Sequence, residues 1–488
     1  MDLLDTELYS SKPLQFGREL KKHFPLDADI TYCNHGSFGA TPLCVIQEQR
    51  RIQDDMNKWP CHFTWRKSLP LYKQALEPLA DFMGTKTKNL VFIANTTTGL
   101  NSVLKSLNLR PGSAIMGTSL TYGAVQYAIQ ETVRIKPGLK SLFMDIIFPI
   151  HSKQDLIDRF TSYLDEHPNI KLAVIDHITS PSAVLMPIQE LVALFHSREI
   201  FVAVDGAHAA GQVQVNLDEL DADFYTSSMH KWLFAPRGCG FLYISPRHQG
   251  NVHPAITSWD YAGSDMHAEF QKEGTRDQTP YFSVPAAIRF YQEIGGWETV
   301  RNYCRPLADD VVDLLVKAWH TEKLPIPREL EAPCLRLVRV PFIEGYHRAD
   351  VSISRCLHNE FMPTIFISLY YKVNEYILIH LNVVLDPISS KLGRLCRVLA
   401  QNDARWDYLY MQLGDTSLLM DKTESDLKLQ EHIFFEYKLQ LIMISCQGKS
   451  YVRVATPAYT DHRDFEEMAR IVLEIQAKAN VCRSNAST

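Results

Sequence analysis

The sequence predicts an α/β protein, a mainly parallel sheet covered by helices on both faces. Three observations carry this reading. Apolar runs of strand length, rich in β-branched and aromatic residues, recur between helix-like segments. Polar residues collect just after several of these runs, at the strand ends where the ligands of such sheets gather. The 488 residues, 46% hydrophobic and 22% charged, are enough to bury a full core and suggest two domains.

The runs come in order as NLVFIA (89–94), SAIMGT (113–118), KSLFMDII (140–147), KLAVIDHI (171–178), IFVAVDGA (200–207), ADFYTSS (222–228) and CGFLYI (239–244). Asn95 to Thr98 follow the first, Asp176 to Ser180 close the fourth, and Asp205 to His208 close the fifth. After about residue 285 the pattern turns helical (VPAAIRFYQEIGGWETVRNY) and then mixed, so a smaller second domain is expected there. No internal repeat is visible.

Composition narrows the function classes. The formal net charge is -6 with no long basic run, so no nucleic-acid partner is expected, and a metabolite is favoured. The ten cysteines are scattered without CxxC pairs, which fits a reducing compartment and argues against structural zinc. The most apolar tract, roughly Tyr376 to Leu385, is well short of the ~20 residues of a membrane-spanning helix. The opening residues are too polar for a signal peptide and the closing CRSNAST carries no SKL-type address, so the cytosol is the expected location, with no membrane partner.

Four stretches carry chemistry. In SSMHKWLFAPRGCG, Lys231 stands among His230, Trp232, Leu233 and Phe234, with Arg237 nearby. Such surroundings can depress an amine's pKa until it becomes a nucleophile toward a carbonyl, although an HK pair by itself reads equally as an exposed surface lysine. In VAVDGAHAAGQ, Asp205 ends a buried strand and needs either a cationic partner, such as a protonated pyridine nitrogen, or a helix to cap. His208 follows three residues later. In IANTTTGLNSVL, Thr96, Thr97 and Thr98 start a helix whose free N–H groups would suit a phosphate, or simply cap that helix. Tyr122, just past another strand, offers a ring for stacking on a flat heteroaromatic or for the core.

Together with YCNHGSFGATP, TYGAVQY, DHITSPSAVLMP, EGTRDQTPYFSVPAA and YVRVATPAYTD, these stretches resemble the class V aminotransferase family of pyridoxal-phosphate enzymes, and its isopenicillin N epimerase-like branch in particular. The blocks keep family order from about residue 30 to 300 and again from about 433 to 475. The resemblance implies the transferase fold of type I: a large domain with a mostly parallel seven-stranded sheet and a small C-terminal α/β domain. By it, residues 1–29 form an N-terminal arm, 30–285 the cofactor domain and 286–488 the small domain. Lys231 would carry the cofactor as a Schiff base, Asp205 would face the pyridine nitrogen, and His208, with Thr179 near it, the ring oxygen. Tyr122 would stack on the ring, and Thr96, Thr97, Ser228 and His230 would hold the phosphate. Gly274 and Thr275 would reach it from the second subunit of a homodimer. Arg453 would grip the substrate carboxylate, with Asn34 and His35 in an N-terminal substrate loop. Arg66, Trp259, Asp260 and Arg276 are further pocket candidates.

The resemblance implies chemistry at the α carbon of an amino acid or cysteine conjugate, by epimerisation or carbon–sulfur β-elimination. Transamination by the same machinery and a catalytically idle scaffold are the alternatives. A desulfurase of the usual kind is disfavoured, because Phe434 to Arg453 offers only Cys446, inside what reads as a buried strand. One region departs from the family pattern. About seventy residues, roughly 362–431, separate Phe361 from the strand leading to Arg453 and read either as a surface insert or as normally non-coding sequence.

Overall fold

Strands form where the apolar runs lie. In chain order they are β1 (Thr31–Tyr32), β2 (Leu90–Ile93), β3 (Ala114–Thr118), β4 (Lys140–Met144), β5 (Ile170–Asp176) and β6 (Phe201–Asp205). Then come β7 (Phe224–Ser228), β8 (Gly240–Ile244), β9 (Leu335–Arg339), β10 (Leu439–Gln440), β11 (Met443–Cys446) and β12 (Lys449–Ala455). The computed structural model describes residues 14–343, Tyr346 and 424–486. They belong to one compact unit, Met1–His347 with Thr416–Thr488. The atypical segment expected at 362–431 lies outside the described residues up to residue 423; its last residues begin the helix Glu424–Tyr437.

All seven runs are strands of one sheet, in the order β2-β8-β7-β6-β5-β3-β4. Only β8 is antiparallel to its neighbours. Every residue of β2, β3, β7 and β8 is buried, which is why these strands read as continuous apolar runs rather than as alternating ones. Alternate residues face opposite layers. Leu90 and Phe92 join a core with Tyr72, Leu76 and Leu79 of the helix Ser68–Phe82. Val91 and Ile93 join Leu100, Val103 and Ile129 of the helices Thr96–Ser106 and Gly123–Ile135 on the other side.

A second, antiparallel sheet has the order β11-β12-β9. The helices Gly296–Trp319 and His462–Ala486 cover it, with Val311, Leu315, Phe465 and Ile471 packed on Val338, Val452 and Val454. β1 pairs in parallel with β10 and so ties the N-terminal segment to the C-terminal part. In the large sheet β5 and β6 end side by side, with Asp176 opposite Asp205. β7 ends at Ser228 and runs straight into the short helix Met229–Trp232, which carries Lys231. No helix among the described residues is long and apolar enough to cross a membrane.

Candidate active site

Lys231 is half-buried, with its Nζ 3.1 Å from His208 Nε2. Burial draws its amine from 10.5 down to about 8; Arg453 pushes the same way, while Asp205 and Asp176 oppose. His208 is buried, and burial keeps its imidazole far below the ordinary pKa, so the ring is neutral. The Trp232 indole, which can only donate, lies 3.3 Å from His208 Nδ1. The ring proton is therefore assigned to Nε2, which points at the Lys231 amine and, at 3.2 Å, at Ser180 Oγ. That N–H meets a lone pair of the amine once Lys231 loses its proton, above about pH 8.

Asp205 is buried and accepts the Ala207 N–H at 2.9 Å. Burial raises its carboxyl, with Ala207 and Lys231 pulling the other way. The turn beyond it is tight. A Cβ on Gly206 would meet the Tyr225 ring at 2.4 Å, and the Tyr225 hydroxyl bonds His177 Nδ1 at 2.9 Å.

The helix start after β2 is built by Asn95, whose side chain accepts the Thr98 N–H at 3.0 Å. The first-turn amides of Thr96 and Thr97 are the donors that a helix start leaves open. Thr96 Oγ1 meets Ser228 Oγ at 2.8 Å, which joins the ends of β2 and β7 in one hydroxyl pair. His230 Nδ1 lies 3.3 Å from the Cys239 carbonyl, and burial pushes its pKa down to about 4. Its Nε2 therefore offers a lone pair until an anion induces a second proton.

Arg453 comes from β12 yet lies against the large sheet's turn. Its Nη1 donates to the Ser180 carbonyl at 2.6 Å and its Nη2 to Ser37 Oγ at 2.6 Å. The side chain is buried, burial draws it down to about 10, and Nε has no partner. Among the described residues no carboxylate pairs with it.

The N-terminal loop knits these parts together, and in one respect differs from expectation. His35 is fully buried; its Nε2 donates to the Lys231 carbonyl at 2.7 Å, and its Nδ1 accepts the Tyr459 hydroxyl at 2.7 Å. With both nitrogens engaged, it props the lysine turn instead of facing a substrate, and Ser37 is the loop residue that touches Arg453. Asn34 is buried with an unpartnered Oδ1.

The structure brings Lys231, Asp205, His208, Thr96, Ser228, His230 and Arg453 to these adjoining turns. Tyr122 is half-exposed before the helix Gly123–Ile135 and close enough to Arg453 to favour its charge. Thr97 is partly buried in the helix start. The Thr179 hydroxyl serves its own turn, bonding Ser182 Oγ at 2.6 Å and the Val184 N–H at 2.8 Å; its neighbour Ser180 makes the contact to His208. Gly274, at φ +117, and Thr275 are exposed, and among the described residues no hydrogen bond ties them to the lysine cluster. Arg66 and Trp259 are exposed, Asp260 pairs with Lys272, and Arg276 is held by Glu273 at 2.8 Å and Tyr281 at 2.6 Å. Cys446 is buried, and burial lifts its thiol to about 12, which suits no nucleophile. Sequence reasoning assigned no role to Ser37, Ser180 or Asp176; position at a strand end marked the last two. Among the described residues no group of His, Cys, Asp and Glu is arranged to hold a metal ion.

A lysine of depressed pKa at a helical turn, a buried aspartate at the next strand end and a hydroxyl-lined helix start define a pyridoxal-phosphate enzyme of the type I transferase fold. The aminotransferase class-V family model matches residues 41–351, and the chain belongs to that family. It is 27% identical over 340 residues to hercynylcysteine sulfoxide lyase of Schizosaccharomyces pombe (strain 972 / ATCC 24843), covering 67% of this chain and 86% of that one. It is 29% identical over 304 residues to isopenicillin N epimerase of Amycolatopsis lactamdurans, covering 59% of this chain and 75% of the relative. The solved complex of the cystine C-S lyase C-DES with cysteine persulfide shares the fold, with a TM-score of 0.64, 16% identity and 91% and 98% of the two chains covered. The residues present fit the family's cofactor. An amine suits its aldehyde, a buried carboxylate its pyridine nitrogen, and a helix start with two hydroxyls its phosphate.

Proposed function

We propose that this chain is a homodimeric enzyme that holds pyridoxal phosphate through Lys231. It acts at the α carbon of an amino acid or cysteine conjugate, by carbon–sulfur β-elimination or epimerisation. Bound at this site, the cofactor withdraws electrons from that carbon. Asp205 keeps a proton on the ring nitrogen, and His208 donates through Nε2 to the ring oxygen, with Thr179 and Ser180 bracing the turn beside it. Tyr122 covers the ring. Thr96, Thr97, Ser228 and His230 hold the phosphate, joined by Gly274 and Thr275 from the second subunit. Lys231 Nζ takes the α proton, a task that an amine at about 8 performs near neutral pH. Asn34 is kept as a substrate contact, whereas His35 acts through the Lys231 backbone. The cofactor domain is placed at 30–285, the small domain at 286–488, and the enzyme in the cytosol.

The observation that carries this reading is Arg453: a buried guanidinium with an orphaned Nε and, among the described residues, no carboxylate of its own, linked through Ser180 and His208 to Lys231. A buried cation without a counter-charge is costly, and a substrate carboxylate would supply one. Relatives that include a sulfoxide lyase and an epimerase support removal of the α proton as the common first step. An idle scaffold would be free to lose Lys231, Asp205 or Arg453, and all three are present.

The test is product analysis with amino acids and cysteine conjugates, scoring pyruvate, keto acid and solvent hydrogen at the α position. Pyruvate marks elimination and hydrogen exchange marks epimerisation, whereas keto acid alone would mean transamination. Borohydride reduction followed by peptide mapping should place the adduct on Lys231. A colourless protein without an adduct would hand the case to the scaffold reading.

A further inference from the structure

We propose that Asp176 and Asp205 share a single proton, with Asp176 as the acid that holds it, so that the pair presents one negative charge to whatever faces Asp205. The inference rests on the reading that Asp205 faces the cofactor's ring nitrogen.

The two residues are partners in the register of β5 and β6, each the last of its strand. Register partners on adjacent parallel strands point to the same face, with backbones about 4.8 Å apart. Both are only 4% exposed. Two ionised carboxylates that close, away from water, repel strongly, and such pairs retain a proton between them. The groups facing the pair do not remove the need. The Lys231 amine supplies at most one positive charge against two carboxylates, and the Tyr225 hydroxyl, backed by His177, and the Thr121 hydroxyl are neutral.

Geometry decides where the proton sits. Asp205 accepts the Ala207 N–H, which favours its charged form. Asp176 is raised far above the carboxylate range by burial and then by Asp205 itself, against weaker opposition from its own backbone N–H, Lys231 and the Thr121 hydroxyl. An O–H on Asp176 then donates to the Asp205 carboxylate and spreads its charge. That makes Asp205 a weaker base, one that braces a proton on the ring nitrogen without removing it. Asp176 is thus a positioning residue acting through Asp205.

Two variants test this. Asp176→Asn keeps an N–H donor without charge; Asp176→Leu keeps the branched outline, with bulkier ends, and loses the donor. In apo-protein at neutral pH, infrared difference spectra should show a protonated carboxyl in the wild type that both variants lack. In holoenzyme, Asp176→Leu should retain cofactor about ten-fold less tightly, the loss expected for one hydrogen bond to a charged group. Its visible absorbance should also titrate at a shifted pH, while Asp176→Asn matches wild type on both counts. The melting temperature of Asp176→Leu should not fall, which separates weak retention from unfolding. A protonated-carboxyl band that survives in Asp176→Asn, or an Asn variant as impaired as the Leu one, overturns the shared proton. Loss of the borohydride adduct at Lys231 in the wild type would instead overturn the cofactor reading and leave the apo-protein infrared result standing.

Discussion

Lys231 and Arg453 are cations of the site, and burial lowers the pKa of both. For Lys231 the consequence is kinetic. Only a neutral amine attacks an aldehyde, so capture of pyridoxal phosphate by apo-protein should accelerate with rising pH and level off above about 8. Stopped-flow absorbance reads this directly; a midpoint at the ordinary lysine value would mean a solvated amine. For Arg453 the consequence divides stability from activity. Arg453→Met should lower kcat/KM about 100-fold, the order expected for a charge-assisted carboxylate contact. Its melting temperature should hold or rise, because an unpaired buried charge is gone. Lys231, Asp205 and His208 were legible because each sits in a short stretch whose spacing puts it at a strand end. Ser180 and Ser37 were not: they meet Arg453 across 273 and 416 positions of chain. His35 shows the opposite failure, since a motif cannot tell a strut beneath the lysine from a residue facing the ligand.

At the scale of elements, the N-terminal loop and the strand starts hold the site's frame. Gly39 lies flat against the lysine turn, where a Cβ would come within 2.0 Å of the His230 carbonyl and 2.6 Å of that of Lys231. Gly39→Ala should therefore destabilise by about 2 kcal/mol through overpacking and loosen cofactor retention. Gly123→Ala, with open space around its Cβ, should do neither in the same melting and absorbance assays. At the far end of the sheet, Asp223 ties β6 to the residues flanking β7 and β8. It bonds His248 at 2.6 Å, Arg247 at 2.8 Å, the Val202 N–H at 2.8 Å and His196 at 3.0 Å. Burial alone would raise this carboxyl, but those four partners outweigh it and hold it well below the usual range. Its contribution is thus present above about pH 4, the unfolded value, and fades as pH falls through the lower folded value. Asp223→Asn should cost about 3 kcal/mol at neutral pH, and the gap to wild type in thermal melts should close in acid. The strands themselves were readable from run length and β-branching, whereas Asp223 was not, since its partners lie on three separate segments.

For the whole molecule, the proposed homodimer would bring the exposed turn at Gly274 and Thr275 to the site of a second copy of the chain. If each site combines Lys231 of one subunit with this turn of the other, mixing Lys231→Ala with Gly274→Asp should restore activity. Each mixed dimer then keeps one complete site, about a quarter of the wild-type total after random exchange. Mixtures as inactive as their parents would place the whole site within one chain. Alternation of apolar runs and polar strand ends was enough to define the layered α/β plan, because periodicity and composition are local properties of the chain, while the family chemistry came from the resemblance of its motif blocks. Folding alone decided that Asp176 lies beside Asp205, that Arg453 crosses from the second sheet to Ser37 and Ser180, and that His35 turns inward. Those meetings are set by strand register and by packing between segments far apart in sequence, and no local pattern encodes them.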